Sequence, residues 1–289
     1  MVIDLILIGL SLIALLIASY TDIKTREVPD ILSYILVIGS LCLRFMASII
    51  TNDWAILLSG LAGFLLFVVL GYLMYNTGQW GGGDSKLLMG MGAAIGLDFH
   101  IVPFPTLLLF LLNLVIAGAV YGTLWIIVLG IKHSKAVKDQ IKTREQQTKK
   151  IHQTLIIATL PLVILSVVAI QDNILRISLG GLAIIPLVSY YLWIIVKSIE
   201  VVAFYKHISP NKLTEGDWIA NDIIVEKQYI TGPKENGITP SQIRKLIALY
   251  KRGKIKTILV KEGIPFVPSF LIGFVITMAI GDWTRFFLL

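Results

Sequence analysis

Two of the 18 acidic residues in this 289-residue chain stand where chemistry is possible. Asp22 ends the first apolar run, in Tyr20-Thr21-Asp22-Ile23-Lys24-Thr25-Arg26-Glu27-Val28-Pro29-Asp30, and Asp84 follows Gly81-Gly82-Gly83 and opens a later one. Ionisable groups near membrane depth are costly and rare, which makes them functional candidates. Two carboxylates brought to about 3 Å cannot both ionise cheaply, so they share one proton. The ionised member can take a proton from water while the protonated member donates a hydrogen bond to a carbonyl oxygen. That chemistry hydrolyses an amide without a metal or a covalent nucleophile, and its titration belongs to the pair rather than to either residue. Glycine permits positive φ and close backbone approach. Gly81, Gly82 and Gly83 ahead of a helix would therefore let an extended chain lie beside Asp84. Alone, such a run reads more readily as a turn with a helix cap. The chemical reading comes from Asp22 on the same membrane face. Glu27 is expected to be exposed and incidental.

The elements that must hold these residues are membrane helices. The chain is 56% hydrophobic and 15% charged, with a mean hydropathy of +0.83. Soluble domains carry about 45–50% apolar and about 25% charged residues, and disorder needs far fewer apolar residues. A helix needs roughly 20 apolar residues to cross about 30 Å of hydrocarbon. Eight candidate spans meet or approach this: 2–20, 31–50, 54–75, 85–102, 107–131, 154–170, 174–196 and 265–281. The fourth is the shortest in apolar content, and its Gly90, Gly92, Ala93, Ala94 and Gly96 would let neighbouring helices approach closely. The first lacks a basic head and reads as a retained helix rather than a cleaved signal.

Lysine and arginine gather on the cytoplasmic side. With the N-terminus outside, all but Arg44, Arg176 and Arg285 of the 25 basic residues fall inside. An even number of spans returns the C-terminus outside. The net charge of +7 is then a topology signal, and no nucleic acid is needed to explain it. Asp22 and Asp84 fall on the inner face. Asp4, Asp53, Asp98, Asp172 and Asp282 fall at outer span ends, as polar flanks. The single cysteine, Cys42, excludes a disulfide framework. His100, His133, His152 and His207 show no ligand spacing, so no metal and no cofactor is expected. No fixed-period repeat and no Walker lysine, Gly-x-Ser-x-Gly or His-Glu-x-x-His motif occurs.

The expected fold is an all-α polytopic membrane protein of about eight transmembrane helices, both termini outside, with a small α+β cytoplasmic module. Its parts are a catalytic membrane core of five helices (1–131), a basic helical connector at an anionic lipid surface (132–153), an additional two-helix pair (154–199), the α+β module (200–264), and a last helix with its tail (265–289). Within the module, strands are expected near Trp218–Ile219, Ile223–Val225 and Lys256–Val260. Thr239-Pro240-Ser241-Gln242 predicts a helix start with a capping box, and Gly253 a helix stop.

Gly81-Gly82-Gly83-Asp84-Ser85-Lys86 resembles the Gly-x-Gly-Asp motif of the type IV prepilin peptidases. The run from Asp22 to Pro29 resembles their first catalytic region. Glu262-Gly263-Ile264-Pro265-Phe266-Val267-Pro268 resembles the archaeal branch, the prepilin and preflagellin (archaellin) peptidases. The resemblance runs along 1–131 and 200–289. It implies that Asp22 and Asp84 are the catalytic aspartates, and that Gly81, Gly82, Gly83, Lys86 and Arg26 position the motif or the substrate. Lys86 is otherwise a snorkelling inner-face anchor. It also implies the partners, pilin or archaellin precursors cut on the cytoplasmic side of the cell membrane, ahead of an apolar segment and after a short basic head. Bacterial members carry a Cys-rich loop and N-methylate their product. This chain has no such loop, so hydrolysis without methyl transfer is expected. Two other readings remain open: a proton-coupled membrane transporter, and a presenilin-like intramembrane protease, whose Tyr-Asp and Pro-Ala-Leu partners this chain lacks.

Overall fold

The computed structural model describes residues 2–98, 105–226, 228–235 and 237–284. His100, Arg285 and the end of the expected fourth span fall outside them. Ten α-helices are described: α1 (Val2–Thr25), α2 (Asp30–Thr51), α3 (Ala55–Asn76), α4 (Gly82–Ile95), α5 (Thr106–Lys132), α6 (Ser134–Gln147), α7 (Lys149–Ala169), α8 (Asn173–Ala203), α9 (Pro240–Lys251) and α10 (Val267–Ile280). The short strands are β1 (Tyr205–Ile208), β2 (Trp218–Ile219), β3 (Ile223–Val225), β4 (Gln228–Thr231) and β5 (Ile258–Lys261).

Six helices, α1, α2, α3, α5, α7 and α8, are long and apolar enough to cross a membrane. The other two expected spans differ. Each contains a 14-residue helix, α4 and α10, about 21 Å long at 1.5 Å per residue. α4 stops at Gly96, which takes φ +75°.

The chain forms two compact units. The first comprises 1–124, 210–256 and 263–289. At its centre is α4, packed against α1, α2 and α3. Ser85, Leu87, Leu88, Gly90, Met91, Gly92, Ala93 and Ala94 of α4 are all buried. A helix buried all round needs small neighbours, and α3 presents Gly60, Gly63 and Gly71 toward it. A Cβ on Gly63 would lie 2.4 Å from the Gly92 carbonyl oxygen, and one on Gly92 would lie 2.4 Å from that of Gly63. Gly90 admits Leu36 of α2, whose carbon atoms would come within 2.9 Å of an added Cβ. The close approach expected from the glycines of this segment is thus realised. The core adds Leu15 and Ala18 of α1, Leu107, Phe110 and Leu114 of α5, and Val267, Phe270 and Phe274 of α10.

Within 210–256 of this unit, α9 begins as its sequence predicts. Thr239 accepts from the Gln242 amide, and the Gln242 side chain accepts from the Thr239 amide. Gly253 ends it with φ +71°. β3 and β4 form an antiparallel pair with a register shift at Ile223/Ile224; β4 lacks the apolar alternation that would have announced it.

The second unit comprises 125–209 and 257–262. α7 and α6 both pack along α8. Asp172 caps α8 by accepting the Leu175 amide at 2.7 Å. Near the other end of the hairpin, Thr148 and the Tyr190 hydroxyl lie 2.8 Å apart, and His152 Nε2 lies 2.8 Å from the Tyr191 hydroxyl. β1 and β5 pair antiparallel, Tyr205 opposite Lys261. Glu200 takes a 2.6 Å ion pair from each of Lys197 and Lys261.

Candidate active site

The buried stripe of α1 runs through Leu7, Ser11, Ala14, Leu15, Ala18, Ser19 and Asp22. These steps of three and four residues follow one helix face, so Asp22 sits inward because it continues that face. The helix extends one turn further than the apolar run and ends at Thr25. Arg26 then takes φ 63° and its amide returns to the Asp22 carbonyl at 2.9 Å. This left-handed turn sends the chain through Val28 and Pro29 into α2.

Asp84 stands in the first turn of α4. The glycine run does not lie wholly ahead of the helix, because Gly82 and Gly83 are already helical. None of the three has positive φ; that conformation falls to Gly78 in the preceding turn, at φ +66°. What the run supplies is close approach. A Cβ on Gly83 would come within 3.0 Å of Val28 Cβ, so Gly83 lets the α1–α2 turn rest on the start of α4. A Cβ on Gly81 would stand 3.6 Å from Asp84 Oδ2.

Through these contacts the turn after Asp22 rests on the start of α4, and the charge of Asp22 reaches Asp84. Asp22 is 6% exposed, and Asp84 is half-buried. The Val267 amide, at the start of α10, donates to Asp22 Oδ2 at 2.9 Å. The charge of Arg26 acts on Asp22 and on Tyr121 of α5, whose hydroxyl is buried beside them. Lys86 projects to the surface, where it holds both carboxylate oxygens of Asp30 at 2.8 and 2.7 Å. It is thus an ion-pair partner of α2. Glu27 is exposed, as expected. Among the described residues, no three His, Cys, Asp or Glu side chains gather as a metal ion would require.

Two buried polar groups carried no warning in the sequence, one at the far end of α4 and one beside Asp22. One is Arg44 of α2, 7% exposed. α4 ends below the reach of its own backbone: the Gly96 amide takes the Gly92 carbonyl, which leaves those of Ala93, Ala94 and Ile95 without helical partners. Arg44 donates to all three, at 3.0, 2.8 and 2.8 Å, and to Ile56 O at 3.1 Å. The other is Tyr121, whose partners lie about a hundred residues away in sequence.

Comparison with known proteins bears on the same region. Residues 9–123 match the type IV leader peptidase family. That segment contains both aspartates and the glycine run. The chain is also 36% identical over 83 residues to a preflagellin peptidase of Methanococcus maripaludis, covering 29% of this chain and 36% of that one. It is 39% identical over 87 residues to one of Methanococcus voltae, covering 30% and 37%. It is 41% identical over 83 residues to one of Methanocaldococcus jannaschii, covering 29% and 35%. The matches thus span about a third of the length of each relative. α10 and its Val267 amide lie beyond the segment that matches the family.

Proposed function

We propose that the protein is a membrane-embedded aspartyl endopeptidase that removes short basic leader peptides from pilin or archaellin precursors. What supports the reading is that α1 and α4 bring Asp22 within electrostatic reach of Asp84, inside the segment that matches the leader peptidases. The named relatives, all preflagellin peptidases, point to the archaellin-type substrate.

In this reading the ionised carboxylate of the pair takes a proton from a water molecule, and the water oxygen attacks the carbonyl carbon of the scissile peptide. The protonated carboxylate gives its proton to the carbonyl oxygen, so no full oxyanion forms. The tetrahedral intermediate then collapses as the C–N bond breaks. The leaving nitrogen takes a proton from the first aspartate while one hydroxyl of the gem-diol returns its proton to the second, and the pair ends with one proton, as it began. No metal, cofactor or methyl donor takes part. The basic residues favour an orientation with both chain ends outside and the dyad at the cytoplasmic face. There a substrate keeps its basic head in the cytoplasm and its apolar segment in the bilayer, with the cut between them.

The test is a cleavage assay with purified wild type, Asp22→Asn and Asp84→Asn against a panel of pilin and archaellin precursors, sequencing the new N-terminus. The reading expects a cut ahead of the apolar segment by the wild type and a loss of at least about a hundredfold in each variant, the low end of acid–base catalysis, at unchanged melting temperature. Asparagine variants that cut like the wild type would overturn the dyad.

A further inference from the structure

The segment Pro265-Phe266-Val267-Pro268 lies outside the family match, yet it bonds Asp22 and packs on Trp80, the residue before the glycine run that leads to Asp84. α10 begins without a cap of its own. Phe266, at the N-cap, has no side-chain acceptor, and Pro268, in the first turn, has no amide hydrogen. The Val267 amide is thus one of the orphan donors of a helix start. Its acceptor is Asp22 Oδ2, 245 residues away. Asp22 caps α10, and α10 in turn holds the carboxylate in place.

The same turn meets the chain just ahead of the other aspartate through aromatic rings. Trp80 directly precedes Gly81. Its ring lies 5.6 Å from that of Phe266 and 5.5 Å from that of Phe270, and the two phenylalanines lie 5.9 Å apart, edge to face. Offset and edge-on pairs at such distances are favourable. Phe266 sits this deep because α5 gives way to it at Gly118, where an added Cβ would come within 2.7 Å of the phenyl ring.

We infer that the Phe266–Val267 turn is a third part of the active site, a positioning element that sets Asp22 through the Val267 amide and Asp84 through Phe266, Phe270 and Trp80. This rests on the dyad reading above. Phe266 and Trp80 act through the aspartates and are not catalytic residues. Losing the ring contact should disturb the geometry between the carboxylates more than the binding of substrate.

Two readouts test it in the full-length protein reconstituted in lipid. The first is steady-state cleavage of a precursor that the wild type cuts, by Phe266→Leu, Trp80→Leu, the double variant, and Gly118→Val, which displaces Phe266 without changing any ring. Each single variant is expected to lose tenfold or more in kcat with KM within twofold. The double variant should be no worse than the poorer single one, and Phe266→Tyr should restore the rate. The second readout does not depend on activity. Cysteines replace Asp22 and Asp84 in a Cys42→Ser background, and the rate of their bridging by a short bis-maleimide is measured with and without Phe266→Leu. Bridging is expected to slow several-fold. Unchanged bridging, or single variants with wild-type kcat, would overturn the inference. A wild type that cuts no precursor, or Asp→Asn variants that remain active, would instead strike the dyad reading, and the bridging rate would still decide this one.

Discussion

Arg44 offers the sharpest test of how the structure holds its central helix. Replacing it by methionine keeps the length and apolar stem of the side chain but removes every donor. The carbonyls of Ala93 and Ala94 accept buried bonds from Arg44, whereas those of Ile95 and Ile56 are partly open. Water can replace the guanidinium at the open pair but not at the buried pair. A buried polar group left without a partner costs about 1–3 kcal/mol, so two cost roughly 2–6 kcal/mol. Against this, the variant no longer buries an ion, which offsets part of the loss. A net destabilisation of about 3 kcal/mol is expected. At about 2–4 °C per kcal/mol for chains of a few hundred residues, that lowers the melting temperature by roughly 6–12 °C. Arg44→Lys should fall between the two, because one ammonium cannot match the planar fork that reaches three successive carbonyls. The assay is thermal unfolding in one detergent at a fixed heating rate, wild type and variants side by side. If Arg44→Met melted within about 2 °C of the wild type, the carbonyls at the end of α4 would have other donors, and the account of why this helix can stop inside the bundle would be wrong.

Other expectations follow from the same packing. Gly92→Leu should cost several kcal/mol, seen as a large fall in melting temperature, because its Cβ would meet the Gly63 carbonyl at 2.4 Å. Gly181→Ala in α8, where nothing lies within 4 Å, should be neutral or stabilise by about 0.5–1 kcal/mol on the same melting curve. Thr239→Ala removes the capping box of α9 and should cost about 1 kcal/mol. Its local effect is readable as faster amide hydrogen exchange in the first turn of that helix.

Where contacts are local, the sequence was legible. The capping box at Thr239 joins residues three apart, so its hydrogen bonds could be read from spacing alone. Asp172 likewise caps its own helix, three residues from the amide it accepts. The apolar spans followed from composition, because hydrocarbon selects each helix by its own length and hydropathy. α4 and α10 were the exceptions. Their helices are set by partners rather than by lipid, and α4 stops where Arg44 can take its carbonyls. The glycines before Asp84 were legible as a motif but not in their use. Positive φ and close approach both suit glycine, and only the position of Val28 shows that Gly83 serves the second.

By itself, the sequence determined that this is a membrane protein, which side its charges favour, and that two carboxylates, Asp22 and Asp84, stand near the ends of helices. Each of those depends on one residue type in one local setting. Only the tertiary structure decided that Asp22 caps a helix 245 residues away, that Trp80 meets Phe266, and that a buried arginine closes α4. These contacts are made by a backbone amide, by rings that elsewhere are ordinary core, and by a cation that elsewhere is a topology signal. None of these groups announces its partner in sequence, because the partner is chosen by the packing of helices and not by the neighbouring residues.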